Sequence, residues 1–68
     1  MSNIFSQRFS EKLKQKNISQ KEFAKMLGKS EDIISCYCLG KNEPPLEVFV
    51  QICKLLDESA DYLLGNED

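Results

Sequence analysis

The chemical options of this chain begin with what its reactive side chains can and cannot do together. It holds three cysteines, Cys36, Cys38 and Cys53, and no histidine. Without histidine there is no Ser-His or Cys-His pair to activate a nucleophile, and no glycine-rich phosphate loop is present, so an enzyme is not expected. Cys36 and Cys38 stand two apart; on a helix they point about 200° from each other and cannot both ligate one ion. A zinc site would therefore need outside ligands, and no metal or other cofactor is expected. An odd number of cysteines without paired spacing also argues against a disulfide scaffold. Buried free cysteine behaves as a small hydrophobe, the reading for Cys38 and Cys53; an oxidation sensor at Cys36 is the sharper alternative.

The remaining polar chemistry lies on one short segment, Glu31 to Leu39. At about 100° per residue, Ile33, Ile34, Tyr37 and Cys38 share one arc, and Glu31, Asp32, Ser35 and Cys36 share the other. One arc can pack inward while the other faces a groove, the layout of a recognition helix. The same layout fits any small amphipathic surface helix.

What must position this helix is written just before it. Ser19 followed by Glu22 is a capping box, and Phe23, Ala24 and Leu27 fall on one helical face. Gly28 can end that helix in the left-handed conformation. Ser30 is a second N-cap, with Glu31 and Asp32 in the first turn, where the helix dipole favours acids. Two helices joined by a short glycine-containing turn, about residues 19–39, make a helix-turn-helix unit.

The flanking segments complete the set. Phe5, Phe9 and Leu13 recur every four residues and predict a helix from about Asn3 to Gln15, with Ile18 able to staple back onto the chain after it. Gly40-Lys41-Asn42-Glu43 reads as a loop that Pro44-Pro45 stops, and Pro45 suits the first position of a fourth helix. Leu46, Phe49, Val50, Ile52, Cys53 and Leu56 make that helix the most apolar. Ser59 can cap a last one, Ala60 to Leu64, closed by Gly65. The expectation is an all-α bundle of five helices, one domain over residues 1–68.

Composition bounds the function. An apolar share of 41% and a charged share of 29% suit a soluble globular chain. No apolar run approaches the roughly 20 residues that span a bilayer and no signal-peptide core follows the N-terminus, so a cytoplasmic protein without membrane contact is expected. The net charge of −2 is unevenly spread. Residues 1–41 hold eight basic side chains against four acids, whereas residues 42–68 hold only Lys54 against seven acids. A basic half could face phosphates while the acidic half faces away; the lysines also suit a merely solvated surface. Val50, Ile52, Leu55, Tyr62 and Leu63 exceed what one thin bundle can bury, and a patch formed by some of them would mark a partner site.

The pattern Ile18-Ser19-Gln20-x-x-Phe23-Ala24-x-x-Leu27-Gly28-x-Ser30-x-x-x-Ile34-Ser35, then Gly40-Lys41-x-x-Pro44 and Asp61-Tyr62-Leu63-Leu64-Gly65, resembles the XRE-type helix-turn-helix family, the group similar to lambda and Cro repressors. The likeness runs from about Arg8 to Gly65. It implies a five-helix lambda-repressor-like DNA-binding domain. It further implies sequence-specific binding to duplex DNA as a homodimer, and transcriptional control with repression the expected sense. No small-molecule substrate is implied. By resemblance, Gln20 holds a phosphate and braces the recognition helix. Ser30, Glu31, Asp32 and Cys36 face base edges, and Ser35 lies beside them. Lys41 and Asn42 sit in a loop whose backbone N–H groups and side chains grip phosphate.

Three departures stand out. Glu31 and Asp32 occupy places where the family often has Gln, Arg or Ser. Carboxylates can accept from cytosine N4, but two of them repel phosphate, and their other reading is dipole capping. Leu13 and Cys38 replace a frequent arginine–glutamate pair, and replacing a buried ion pair whole is often neutral or stabilising. Cys36 puts a thiol on the readout face. The rival function is a helix-turn-helix fold that has lost DNA binding and serves protein interaction.

Overall fold

A computed structural model describes residues 3–66, and the elements within it are five helices: α1 (Asn3–Gln15), α2 (Gln20–Leu27), α3 (Glu31–Leu39), α4 (Leu46–Leu56) and α5 (Ala60–Leu64). Among the described residues there is no strand. The all-α, five-helix expectation holds, and the capping residues show why the boundaries fall where they do.

Each N-terminal cap read from the serines is present. The Glu22 N–H donates to Ser19 Oγ at 3.0 Å and the Ser19 N–H donates back to Glu22 Oε1 at 3.3 Å. Ser30 and Ser59 likewise accept from the N–H of Ile33 and Tyr62. The fourth helix departs from expectation. Pro45 is its N-cap rather than its first residue, extended at φ −59° and ψ 160°, and no side chain caps that end. Pro45 still hands its carbonyl to Phe49 at 2.8 Å.

All five C-termini close in one way, with a left-handed residue followed by an N–H that reaches back five residues. Gly28, Gly40 and Gly65 supply three of these left-handed positions. Asn17 (φ 57°), among the residues expected to close the first helix, and Asp57 (φ 53°), which was not read as a stop, supply the other two. The returning bonds, Ile18 N to Leu13 O at 2.9 Å and Glu58 N to Cys53 O at 3.0 Å, satisfy carbonyls that the helix leaves without partners.

Packing follows the apolar stripes. Phe5, Phe9 and Leu13 of α1 turn inward together, with Phe9 fully enclosed. Its ring stacks against Phe5 (centroids 5.5 Å apart) and meets Phe23 of α2 edge-on at 5.3 Å. Phe5 continues the chain of rings to Phe49 of α4 at 5.7 Å. Ile18 packs partly buried against this core, as a staple would. Contacts run α1 to α3 and α5, α2 to α3 and α4, and α4 to α5.

The C-terminal helices divide their apolar residues sharply. Ile52 and Leu63 are fully buried, Tyr62 is half-buried, and Val50 and Leu55 lie at the surface. Leu63, counted above among residues available for a patch, belongs to the core.

Candidate nucleic-acid interface

The helix-turn-helix unit is held rigid by its own local bonds before any tertiary contact is counted. Gly28, at φ 76°, has open space where a Cβ would stand, so only its backbone conformation demands glycine. The two helices it separates pack on each other and place α3 over α1. On α3, Ile34 and Tyr37 are buried and Ile33 and Cys38 pack partly against the core. The opposite arc stays open: Glu31 and Asp32 are exposed, and Ser35 and Cys36 are half-exposed. The split follows the wheel drawn from the sequence.

Each expected contact residue has a definite place. Ser30 spends one lone pair on the Ile33 N–H, and its hydroxyl hydrogen remains available to an incoming acceptor. Glu31 and Asp32 make no ion pair among the described residues, so their charges are uncompensated at the start of the helix. Gln20, the first residue of α2, is half-buried and borders a hollow of about 370 Å³ together with Ser10, Leu13, Lys14, Ser19 and Cys38. Leu13 and Cys38, the two positions singled out by the resemblance, border the same hollow.

The loop after α3 has a local role of its own. Lys41 and Asn42 are exposed, but their backbone N–H groups turn back onto the Cys36 carbonyl, at 3.0 and 3.5 Å. These amides close α3, and the side chains of both residues point into solvent.

The basic half is also smaller than its count. Lys12 pairs with Glu58 at 3.0 Å, and the Arg8 guanidinium lies over the Tyr62 ring. Both cations serve the α1–α5 contact. Lys14, Lys16, Lys21, Lys25, Lys29 and Lys41 remain exposed.

The three thiols are free, and among the described residues no cluster of ligating side chains could hold a metal ion. Burial pushes the Cys38 thiol up, against hydrogen bonds from Ser10 and Gln20 and the nearby charge of Lys14, which pull it down. Burial pushes Cys53 up as well. Protonated, partly enclosed thiols are poor nucleophiles, which fits a packing role for both.

Sequence reading missed two contacts that hold the interface elements in place. Ser10 Oγ donates to the Cys38 carbonyl at 3.2 Å, across 28 residues. Arg8 Nη1 donates to the Tyr62 carbonyl at 2.6 Å, across 54. No local pattern announces bonds between residues so far apart.

Comparison with known proteins agrees with this geometry. The helix-turn-helix family profile matches residues 9–63. The chain is 36% identical over 64 residues to YqaE, an uncharacterized HTH-type transcriptional regulator of Bacillus subtilis (strain 168). That stretch covers 94% of this chain and 55% of the relative, so the chain spans about half the length of the relative it matches. No solved structure matches. With its capped helix pair, its turn glycine and its closing Asp61–Gly65 motif all inside or beside the matched span, the chain belongs to the XRE-type helix-turn-helix family.

Proposed function

We propose that the five helices act as one domain that binds duplex DNA sequence-specifically, as a homodimer, and represses transcription at the sites it covers in the cytoplasm. The observation that carries this reading is the two-sided α3. Ile34 and Tyr37 anchor it, while Glu31, Asp32, Ser35 and Cys36 stand open beside exposed Lys41 and Asn42. Side chains on the open arc read base edges, and Gln20, Lys41 and Asn42 fix register on phosphate. Ser30, at the helix start, reaches either. The regulator named among its relatives supports a role in transcription.

The test is a gel shift against random duplex DNA and against the promoter of the chain's own gene, at low salt. Affinity should fall steeply as salt rises, with a log–log slope of about −0.9 per phosphate neutralised. Undetectable binding to both probes would overturn the reading. One observation favours the second function, a protein-interaction module: Glu31 and Asp32 put two uncompensated carboxylates where phosphates would approach. Specific DNA binding by the chain with both acids in place would count against that alternative.

A further inference from the structure

The last four carbonyls of an α-helix have no partner within the helix. In α3 these belong to Cys36, Tyr37, Cys38 and Leu39. The Cys36 carbonyl accepts from the N–H of Lys41, and the Tyr37 carbonyl accepts from the N–H of Gly40. Neither bond reaches Cys38. Its carbonyl is taken by a side chain from another helix, the Ser10 hydroxyl of α1.

We infer that Ser10 is a positioning residue for the recognition helix: its hydroxyl takes up the Cys38 carbonyl at the end of α3 from outside and fixes that end of the helix over α1. The surroundings support the assignment. Ser10, Gln20 and Cys38 border one hollow of about 370 Å³, so the bond sits beside the glutamine that opens α2. Leu13 and Cys38, which border the same hollow, supply no charge pair to lock the two helices. The polar tie between α1 and the end of α3 is a neutral hydrogen bond, added to the packing of Tyr37 and Cys38. Leu39, the last residue of α3, is 65% exposed and adds little packing to that end. Ser30 caps the start of α3 and the burial of Ile34 and Tyr37 anchors one face, so what the Ser10 bond adds is a fixed position for the backbone of the last turn. A shift of that turn would carry Cys36 and the neighbouring Ser35 with it.

The inference rests on the DNA-binding reading for its consequence but not for its geometry, and the experiment separates the two. Ser10 lies inside α1, where alanine is the better helix former. Ser10→Ala should therefore leave α1 intact while freeing the Cys38 carbonyl. Amide hydrogen exchange from Cys38 to Asn42, measured without DNA, should speed up about 3- to 10-fold, the loss of one net hydrogen bond. Affinity for a selected DNA site should fall by a similar factor, with non-specific affinity and its salt dependence unchanged. A merely structural loss would lower specific and non-specific binding together. Ser10→Thr keeps the hydroxyl and should restore both readouts. Wild-type exchange in Ser10→Ala would overturn the inference, as would faster exchange with unchanged site affinity. If the wild-type chain binds no DNA, the proposed function fails on its own, and the exchange measurement still decides whether Ser10 pins the helix.

Discussion

Arg8 holds Tyr62 twice: its guanidinium donates to the Tyr62 carbonyl at 2.6 Å and lies 4.5 Å from the centre of the same ring. The contact joins the second turn of α1 to the short α5, which at five residues cannot be stable by itself. Lys12, one turn further along α1, sits 5.4 Å from the same ring and pairs with Glu58. All four contacts are made by the charged groups of Arg8 and Lys12, three of them to Tyr62 of α5 and one to Glu58 just before it, so α5 is tied down electrostatically above the buried Leu63.

Replacing Arg8 with methionine keeps much of the apolar stem and removes the charge. Stability should fall by about 1–2 kcal/mol, from a charge-assisted bond and a cation–π contact at a partly exposed site. In a chain this small that is a drop in melting temperature of roughly 4–16 °C. A double-mutant cycle with Tyr62→Leu should assign about 0.5–1 kcal/mol to the ring contact. Strict additivity of the two changes would show that ring and guanidinium do not interact.

The Lys12–Glu58 pair makes stability depend on pH. The hydrogen bond to Lys12 holds the Glu58 carboxyl below its ordinary value of 4.5, and the same bond raises Lys12 above 10.5. A depressed carboxyl contributes stability that is complete above pH 4.5 and is lost as pH falls through the folded value. The raised amine contributes below pH 10.5 and loses its share as pH rises through its own folded value. Melting curves of the wild type should therefore fall more steeply with acid than those of Lys12→Met. The gap between them should narrow at high salt, because both partners are near the surface. Parallel curves for the two proteins below pH 4.5 would exclude the pair as a cause.

How much of this was legible follows from the range of each interaction. Ser19, Ser30 and Ser59 announce their helices because a cap bonds only two or three residues ahead, within reach of a short pattern. Asp57 did not announce its stop, because a non-glycine in the left-handed conformation is tolerated only when the following turn rewards it. Leu63 was misplaced for a different reason. A five-residue helix is too short to display a periodicity, so nothing local tells Leu63, fully buried, from Leu64, 38% exposed. At the candidate site, the open and packed arcs of α3 could be read from spacing. The engagement of the Lys41 and Asn42 amides is the local closure of α3 after Gly40, whereas the bond from Ser10 depends on where a distant segment comes to rest.

Glu31 and Asp32 should govern DNA selectivity more than folding. Both are exposed, and nothing in the described residues neutralises them. Acids in a first turn are worth about 0.3–1 kcal/mol each through the helix dipole, so changing both to Gln should lower melting only modestly. Non-specific affinity should rise as repulsion from phosphate disappears, and the preferred site selected from a random pool should change. A double variant that melts far lower and selects the same site would make these acids structural.

Dimer formation can be tested on α4. Leu46 and Val50, one turn apart on that helix, are 76% and 43% exposed, more than an isolated core-facing helix requires. A single recognition helix touches few base pairs, and two of them set about 34–36 Å apart would read a near-palindromic site. Something must hold that spacing, and the outer face of α4 carries Leu46, Val50 and Leu55 among Glu47, Gln51 and Lys54, outside the helix-turn-helix unit. The chain exposes 4325 Å² in all, so a standard interface of about 800 Å² per partner would take close to a fifth of it. Free dimers should accordingly be weak and should tighten when both half-sites are bound. Leu63→Glu is a poor probe, because Leu63 is in the core and its loss would unfold the chain. Val50→Glu, at the surface, should keep its melting temperature within a few degrees, since exposed substitutions usually cost under about 0.5 kcal/mol. Sedimentation should then show a monomer where the wild type shows a concentration-dependent dimer. Affinity for a two-half-site duplex should drop about tenfold or more, while affinity for a single half-site stays as it was. A wild-type monomer that reads one asymmetric site with full selectivity, indifferent to Val50→Glu, would remove the dimer and the role of α4 with it.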